Sequence, residues 1–568
     1  MRNDKVIAGA TAFATAAAAM TLAGCSQKPR ETTAVEADPS RAAEPAPEPP
    51  PMFEAVPADT PYLLASLDAW PEALDDMNHP FTEGSTSGLD ALAELGAEAA
   101  AESDGAFSAL HGALFGLVEE DGVEALGMAP GASVVLYGLG LVPVGRVELA
   151  DADALRGALS TIEDQADVTL PVRDVAGHEV YWFDDDQPWS FGAAILGDEL
   201  VVSFGPESAA EAAFEVLVGA REVGDVMSEA DIRARAGAEG FLDGWFGMLD
   251  VVALGELLVG QRGGVQGEVS ADMLGGPPDV PAGCAEATLA ALGHAPTLTA
   301  GYTEMDDDRV TGVARLELSD ELTELFEAAR ASVPGVVDDF DEVPLFALGA
   351  AVDVEGGARL LEWAGETMAE VGAACDSLDL QEGGTELAEL VGGPVAPHFA
   401  MVSGGLFWIE SIDLATFSGE GYAVAGIEAP MQLFELAQPF LPELGDLELS
   451  VDGTFRALPE GIASEIPVDL GWTYALSDAA VALAAGDAGR AAAESALDRR
   501  PEESPFLTVA ADYDRLSAFA EHLPGGASED MSYFGEPFSK GVGTVSLDGG
   551  GLRLKLRSEV ESDVSPED

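Results

Sequence analysis

Apolar and polar residues alternate in short runs along most of the chain after about residue 53. This period of two is expected of antiparallel strands with one buried face. Other segments place apolar residues three and four positions apart, which favours amphipathic helices. The runs are too short, and alternate too often, for the buried strands of a parallel doubly wound sheet. The sequence therefore predicts an α+β fold, with antiparallel sheets and helices packed on one face.

One local pattern occurs four times: an apolar, strand-like run ends in Asp, and a helical period follows. A carboxylate at this position accepts the unpaired amide hydrogens of the first helical turn, and it lies at the positive end of the helix dipole. We therefore predict helix N-caps, rather than catalytic acids, at these positions. The four residues are Asp68, Asp250, Asp353 and Asp512.

The order of the elements indicates an internal duplication. Segments 133–217 and 398–497 both contain a strand, a helix, a strand pair joined by a turn, a Trp-led strand, a turn with Gly and an Ala-rich helix. Each half then closes on a hairpin. Corresponding residues are Trp189 and Trp472, Asp198 and Asp478, and Gly205 and Gly486. Landmarks that recur in the same order are typical of a repeated unit.

These correspondences predict two related α+β halves. We place the first half at 53–322, a linker at 323–342, the second half at 343–561 and an acidic tail at 562–568. A helical stretch at about 89–126 has no counterpart of equal length in the second half. A body of this length is long for one core, which also favours more than one domain.

The start of the chain has the layout of an export signal. Two basic residues precede an uncharged, Ala-rich run from Val6 to Ala23, which is too short and too small-residued for a convincing membrane span. The run leads into Leu22-Ala23-Gly24-Cys25. This motif resembles the lipobox of bacterial lipoproteins, whose Cys is acylated and becomes the first residue of the mature chain. An ordinary signal peptide, or an N-terminal anchor helix with an incidental Cys, is the alternative.

The lipobox resemblance implies a signal peptide at 1–24 and a lipid anchor on Cys25. It also implies the outer membrane of a Gram-negative bacterium, because Ser26, and not Asp, follows the Cys. Residues 25–52 are rich in Pro, Glu and Ala, and therefore form a disordered tether that starts at the lipidated Cys. The body of the chain resembles large lipoproteins of the cell envelope, a resemblance that implies no specific activity.

The charge of the chain is strongly negative. There are 103 acidic and 25 basic residues, for a net charge of −78. Duplex nucleic acid is therefore disfavoured as a partner, since its binding needs a basic surface. Repulsion among the carboxylates destabilises a compact state unless ions screen it, which favours a salty, halophilic habitat. An acidic face that gathers divalent cations is the alternative, but the acids are spread along the chain.

Two cysteines remain after Cys25. Cys284 and Cys375 are an even pair in an oxidising compartment, and we predict a disulfide between them that joins the two halves. Two buried free thiols are the alternative. The sequence has no CxxC motif, so it gives no support to redox catalysis.

Recognisable catalytic motifs are absent from the sequence. There is no GxSxG, GxxxxGK[ST] or HExxH, and the six histidines are far apart. The acidic runs 184–186 and 306–308 lack the ligand spacing of an EF-hand, so we interpret them as solvated hairpin turns rather than calcium sites. We predict no catalytic residue, no bound metal and no cofactor.

Three functions are consistent with the sequence. The first is a non-enzymatic envelope lipoprotein whose body binds or scaffolds, with partners that include the bilayer through Cys25 and an envelope protein or a small apolar ligand. The second is a periplasmic carrier that holds a lipid or acyl ligand in a cavity between sheet and helices. The third is a hydrolase whose site is assembled from scattered acids and histidines.

Overall fold

A computed structural model describes most of the body of the chain. Five predicted features lie outside the described residues: the signal peptide at 1–24, Cys25, Asp68, nearly all of the helical stretch at 89–126 and the tail at 562–568. The described ranges are 49–67, 126–129, 131–166, 169–183, 190–242, 244–306, 308–340, 342–376, 379–391, 400–413, 418–439, 444–445, 447, 449–463, 470–520 and 538–560.

Nineteen strands form one continuous sheet in these ranges, and every pairing between them is antiparallel. This confirms the predicted antiparallel α+β class. The strands are β1 Tyr62–Ser66, β2 Val134–Leu139, β3 Val142–Glu148, β4 Val172–Val175, β5 His178–Phe183, β6 Ser190–Leu196, β7 Glu199–Gly205, β8 Trp245–Asp250, β9 Thr297–Met305, β10 Arg309–Glu317, β11 Phe346–Ala351, β12 Val402–Asp413, β13 Ser418–Ile427, β14 Arg456–Ala457, β15 Thr473–Leu476, β16 Ala480–Ala485, β17 Leu507–Asp512, β18 Phe538–Asp548 and β19 Gly551–Val560.

The order of the strands across the sheet is not their order in the chain. From one edge to the other it is β4-β5-β6-β7-β3-β2-β1-β8-β9-β10-β19-β18-β17-β11-β12-β13-β16-β15-β14. The middle of the sheet is the pair β10–β19, which joins residues that are 234 positions apart in the chain at Glu317 and Gly551 (551 − 317) and 250 apart at Arg309 and Glu559 (559 − 309). This central pair makes one sheet of the regions that the sequence assigns to two halves.

Thirteen α-helices accompany the sheet in the described residues. They are α1 Ala152–Ala166, α2 Glu207–Leu217, α3 Glu229–Glu239, α4 Val251–Leu258, α5 Gly264–Met273, α6 Ala282–Leu292, α7 Asp320–Ala328, α8 Val354–Ala374, α9 Leu380–Val391, α10 Pro430–Ala437, α11 Glu460–Ala463, α12 Gly486–Asp498 and α13 Tyr513–Ala520. No helix among the described residues is long and apolar enough to span a membrane.

Two hydrophobic cores lie on the same face of the sheet, which we call the core face. The first core contains Val313, and the second contains Val542. Val313 pairs with Lys555, and Val542 pairs with Arg557, two positions further along β19. Because side chains two residues apart in a strand point to the same face, both cores share this face. In the first core the helix α2 comes close to the sheet at Gly192, where a Cβ would lie 2.2 Å from the ring of Phe214.

Helices are not confined to the core face, which corrects the prediction of helices on one face. Helix α1 packs on the opposite face, against Phe183, Phe191 and Ile195. The physical reason is that β5 carries three consecutive aromatic residues, at 181–183, so that both of its faces are apolar and both have to be covered. Helices α7 and α8 also pack on that opposite face, at the ends of β18 and β19.

The segment predicted as a linker, 323–342, contributes to packing. Helix α7 runs across the predicted boundary at 322. Further along, Val333, Val336 and Phe340 are buried members of the second core. The ring of Phe340 contacts Trp408 edge to face, with centroids 5.2 Å apart. The described part of this segment is therefore tied to the second core by apolar burial.

Buried tyrosines predict a loss of stability in alkali. Burial raises the pKa of Tyr137 to about 12, although the nearby Arg146 guanidinium lowers it in part. Burial also raises the pKa values of Tyr62 and Tyr422 well above 10.0. Since each folded pKa exceeds the unfolded one, the stabilisation is complete below pH 10.0 and is lost as pH rises through the folded values. We expect the free energy of unfolding to fall by up to about 1.4 kcal/mol per pH unit for each tyrosine.

Urea titrations at increasing pH, combined with tyrosinate absorbance, measure this effect. In Tyr137→Phe the free energy of unfolding should fall less steeply with alkaline pH, because one fewer proton is lost on unfolding. The stability of this variant at neutral pH should change little. If the native tyrosines ionise at the pH of the unfolded chain, this explanation of alkaline sensitivity is incorrect.

Candidate functional site

The predicted capping residues that fall within the described ranges lie at helix starts. The side chain of Asp250 accepts from the Ala253 N–H at 2.8 Å, at the start of α4. Asp353 accepts from the Gly356 N–H at 2.7 Å, at the start of α8. Asp512 Oδ1 accepts from the Arg515 backbone N–H at 3.0 Å, before α13. These contacts are structural, and Asp68 lies outside the described residues.

The cysteine pair is bonded. Cys284, in α6, and Cys375, directly after α8, form a disulfide with Cα atoms 4.7 Å apart. Val371 packs against both residues, and both cysteines are buried. The bond joins a helix of the predicted first half to a helix of the predicted second half.

The acidic run at 306–308 lies in the turn between β9 and β10. Asp306 Oδ1 accepts from the backbone N–H groups of Asp308, at 3.1 Å, and Arg309, at 2.9 Å. The run at 184–186 and Asp307 are outside the described residues. Within the part of the chain that is described, no group of three or more His, Cys, Asp or Glu side chains could hold a metal ion.

A polar recess of about 340 Å³ lies on the core face, over the middle of the sheet. Its floor is the central strand pair β10–β19, between the two hydrophobic cores. We call it the central recess. Its lining residues are Thr303, Glu304, Arg309, Thr311, Asp339, Arg553, Lys555 and Arg557.

Strand geometry explains why these side chains meet. The sequence Leu-Arg-Leu-Lys-Leu-Arg at 552–557 alternates, so its three cations share the core face and its leucines share the other face. Antiparallel pairing then places Thr311 opposite Arg557 and Val313 opposite Lys555. This cluster was not predicted from the sequence. The available signal was an alternation of basic and apolar residues in a chain with few basic residues.

Some of the cations in the central recess have partners. Arg557 forms an ion pair with Asp339. Arg309 Nη1 lies 3.6 Å from Glu304 Oε1, and Thr311 Oγ1 donates to the other oxygen of Glu304 at 3.1 Å. These contacts fix the orientation of two guanidinium groups at one end of the recess.

Other donors in the central recess lack an acceptor. Lys555 has no hydrogen bond or ion pair within the described residues. The Nε atoms of Arg309 and Arg553 are buried there without an acceptor, although Arg553 Nη1 lies 3.4 Å from Asp548. Buried polar groups are normally hydrogen-bonded, so these two Nε groups are unusual, but they are enclosed by the protein. Lys555, which lines the recess, is the donor that a ligand can reach.

The opposite face of the sheet, which we call the open face, exposes large apolar side chains. Cross-strand pairs on it include Leu64 with Leu136 and Leu348 with Phe407. Ten such residues on this face are 39–51% exposed. They are Leu64, Val134, Leu136, Val172, Phe204, Leu348, Phe407, Leu507, Leu554 and Leu556. Extended apolar surface of this kind is typical of interaction sites.

The space between sheet and helices in the first core is filled. Val144, Phe214 and Leu217 are completely buried there. The second core is similarly closed around Ala347 and Ala482. These packed interfaces give no support to an acyl-chain cavity between sheet and helices.

A raised pKa is the feature that a hydrolase requires of a general acid, and among the described carboxyl groups Asp514 has one. Burial, and then the neighbouring Asp512 carboxylate, raise the pKa of Asp514. Asp514 lies in the first turn of α13, beside the residue that caps this helix, and it is not part of the central recess. Burial and the adjacent Asp512 therefore explain the raised pKa of Asp514 without a catalytic role.

No family model, curated protein or solved structure matches this chain.

Proposed function

We propose that this chain is a lipid-anchored, non-enzymatic protein of the bacterial cell envelope, and that its α+β body binds or scaffolds. The observation that carries the proposal is Leu22-Ala23-Gly24-Cys25 at the end of a signal-like segment. An acylated Cys with several chains anchors a protein stably. Because Ser26 follows the Cys, the proposed location is the outer membrane of a Gram-negative bacterium.

The contacts at the start of the body support a tether that ends near residue 52. Arg146 Nη2 donates to the Pro50 carbonyl at 2.9 Å, and Glu199 Oε1 accepts from the Met52 N–H at 2.8 Å. The preceding segment, 25–48, is rich in Pro and Glu. A polar tether of this composition would hold the body at a distance from the bilayer.

We also propose that the body arose by duplication, with related halves at 53–322 and 343–561. The support is the strand order on either side of the central pair. Inward from β5, which is next to the edge strand β4, the order is β5-β6-β7-β3-β2-β1-β8-β9-β10, and inward from the other edge it is β14-β15-β16-β13-β12-β11-β17-β18-β19. Val313–Lys555 is the fifth of the nine residue pairs that join the halves. A pseudo-twofold relation about this pair accounts for both observations.

Two features favour a binding or scaffolding role over an enzymatic one. The open face presents ten large, exposed apolar side chains over many strands. The carrier and hydrolase alternatives each require a feature of their own, an internal acyl cavity or converging acids. The packed cores and the capping role of the aspartates leave both alternatives without a supporting observation.

The anchor is tested with Cys25→Ser in a Gram-negative host. The wild type should incorporate radiolabelled fatty acid and fractionate with membranes, because its Cys25 is acylated. The variant should carry no label and lose its acyl-dependent membrane association. Intact mass of the purified proteins gives the number of acyl chains.

Ser26→Asp is the matched control for this experiment. It keeps the Cys, so the label should remain, but the protein should move from the outer to the inner membrane fraction. A wild type that carries no lipid would refute the anchor, and the chain would then have to be reconsidered as a secreted or periplasmic protein.

A further inference from the structure

We propose that the central recess is an anion site that binds the phosphate group of a small ligand. This goes beyond the lipid-anchored role, and it concerns the body alone. The recess lies on the core face over β10 and β19, and no lipid anchor is needed for it to form.

The local charge is the first argument. The chain has 103 acidic and 25 basic residues, yet the recess is lined by four cations and two carboxylates. In a protein of net charge −78, a surface without a specific role is expected to be acidic. Concentrating cations in one recess costs electrostatic free energy unless an anion compensates for them.

The unused donors are the second argument. Lys555 has three ammonium hydrogens and no partner within the described residues. The Nε groups of Arg309 and Arg553 are buried without acceptors. An anion bound to Lys555 would pair with this ammonium, and its charge would also offset the two guanidinium groups whose Nε atoms lack acceptors.

The type of donor favours phosphate. A guanidinium offers parallel N–H groups that match two oxygens of a phosphate, and an ammonium adds a compact positive charge. Asp339 and Glu304 hold Arg557 and Arg309 in place, so these guanidinium groups are already oriented. Lys555 lies at the centre of the strand pair and would supply the charge that its neighbours do not neutralise.

The size of the recess limits the ligand. Ligand pockets usually have volumes of about 300–1,000 Å³, and a recess of about 340 Å³ is at the small end of that range. Free inorganic phosphate and a small phosphomonoester both fit this description. They share the chemistry that the recess recognises, and a competition experiment distinguishes them.

Equilibrium dialysis of the purified full-length protein against radiolabelled inorganic phosphate tests the proposal, with ionic strength kept constant by chloride. We expect saturable binding of one phosphate per chain. Lys555→Met should weaken it about tenfold or more, because an ionic hydrogen bond contributes about 1.5–3 kcal/mol. Lys555→Arg, which keeps the cation, should retain most of the affinity.

Lys540→Met is the matched control. Lys540 is the other lysine of the central strands, but its Nζ lies 3.3 Å from Glu559 and it does not line the recess. Its loss should leave the affinity for phosphate unchanged. Absence of saturable binding at millimolar phosphate would overturn the proposal, as would equal losses in Lys555→Met and Lys540→Met.

Competition by glycerol phosphate identifies the source of the phosphate group. Displacement at concentrations below those needed with unlabelled phosphate would assign the site to a phosphomonoester. Displacement only by unlabelled phosphate would assign it to the free ion. A negative result in these binding experiments would not contradict the proposed lipid anchor, because acylation is measured on Cys25 and not on Lys555.

Discussion

Glu199→Ala is expected to destabilise the first core by about 3–5 kcal/mol, since it would leave the buried charge of Arg146 without its partner. The Arg146 side chain has 0% exposure, and Glu199 has 17%. Arg146 Nε donates to Glu199 Oε2 at 2.8 Å. Breaking one side of such a pair costs more than the pair itself contributes, because the remaining ion is already desolvated.

A double-mutant cycle separates the two effects. Arg146→Met removes the charge while keeping an apolar side chain of similar length, so Arg146→Met with Glu199→Ala should be more stable than Glu199→Ala alone. Urea unfolding measures the loss of stability in each variant. Hydrogen exchange of peptides that cover β2 and β3, measured on the native proteins, shows where this loss occurs.

An exposed pair provides the control for this cycle. Arg156 and Asp153 lie 2.8 Å apart, with side-chain exposures of 49% and 91%. Asp153→Ala should change stability by less than about 1 kcal/mol, because solvent screens such a pair. Similar losses in Glu199→Ala and Asp153→Ala would show that burial does not decide the effect.

The same pair also positions the end of the proposed tether. Glu199 accepts from the Met52 N–H, and Arg146 donates to the Pro50 carbonyl. We therefore expect Glu199→Ala to increase hydrogen exchange at residues 50–56 more than in the second core. No local pattern predicts this contact, because Met52 and Glu199 are 147 residues apart.

Local features of this fold are readable from the sequence, and long-range register is not. Alternating runs indicate antiparallel strands, and an Asp after such a run lies within reach of an amide three residues later, as at Asp250 and Asp353. The order in which strands pair depends on contacts across the whole chain. The pairing of β10 with β19 has no local signal, so neither the continuity of the sheet nor its centre could be predicted.

The central recess was missed for the same reason. Its cations come from β10 and from β19, and Asp339 comes from the segment predicted as a linker. Each is unremarkable in its own stretch of sequence, and only the register places Arg557 opposite Thr311. The packing of helix α1 on the second face of β5–β7 was also not predicted, although here the sequence contains a local signal. Three consecutive aromatic residues at 181–183 indicate burial on both faces, which a helix layer on one side cannot supply.

Removing the disulfide is expected to lower the free energy of unfolding by about 4 kcal/mol. The bond closes a loop with a sequence separation of 91 residues, and loop-closure entropy in the unfolded chain grows with that length. The variant is Cys284→Ala with Cys375→Ala, made in the full chain with Cys25→Ser so that no other thiol remains. Urea unfolding of this variant and its parent gives the difference in stability.

The loss of stability on removal of the disulfide should be accompanied by faster hydrogen exchange near the bond. Hydrogen exchange should increase in α6 and α8, which meet at Cys284, Val371 and Cys375. It should increase much less in β10 and β19, because their nine-residue ladder joins the two predicted halves independently of the bond. Reduction of the parent protein is the control that keeps every side chain, and it should reproduce the same pattern. If the oxidised, denatured parent contains free thiols, the bond is absent and this explanation of the stability fails.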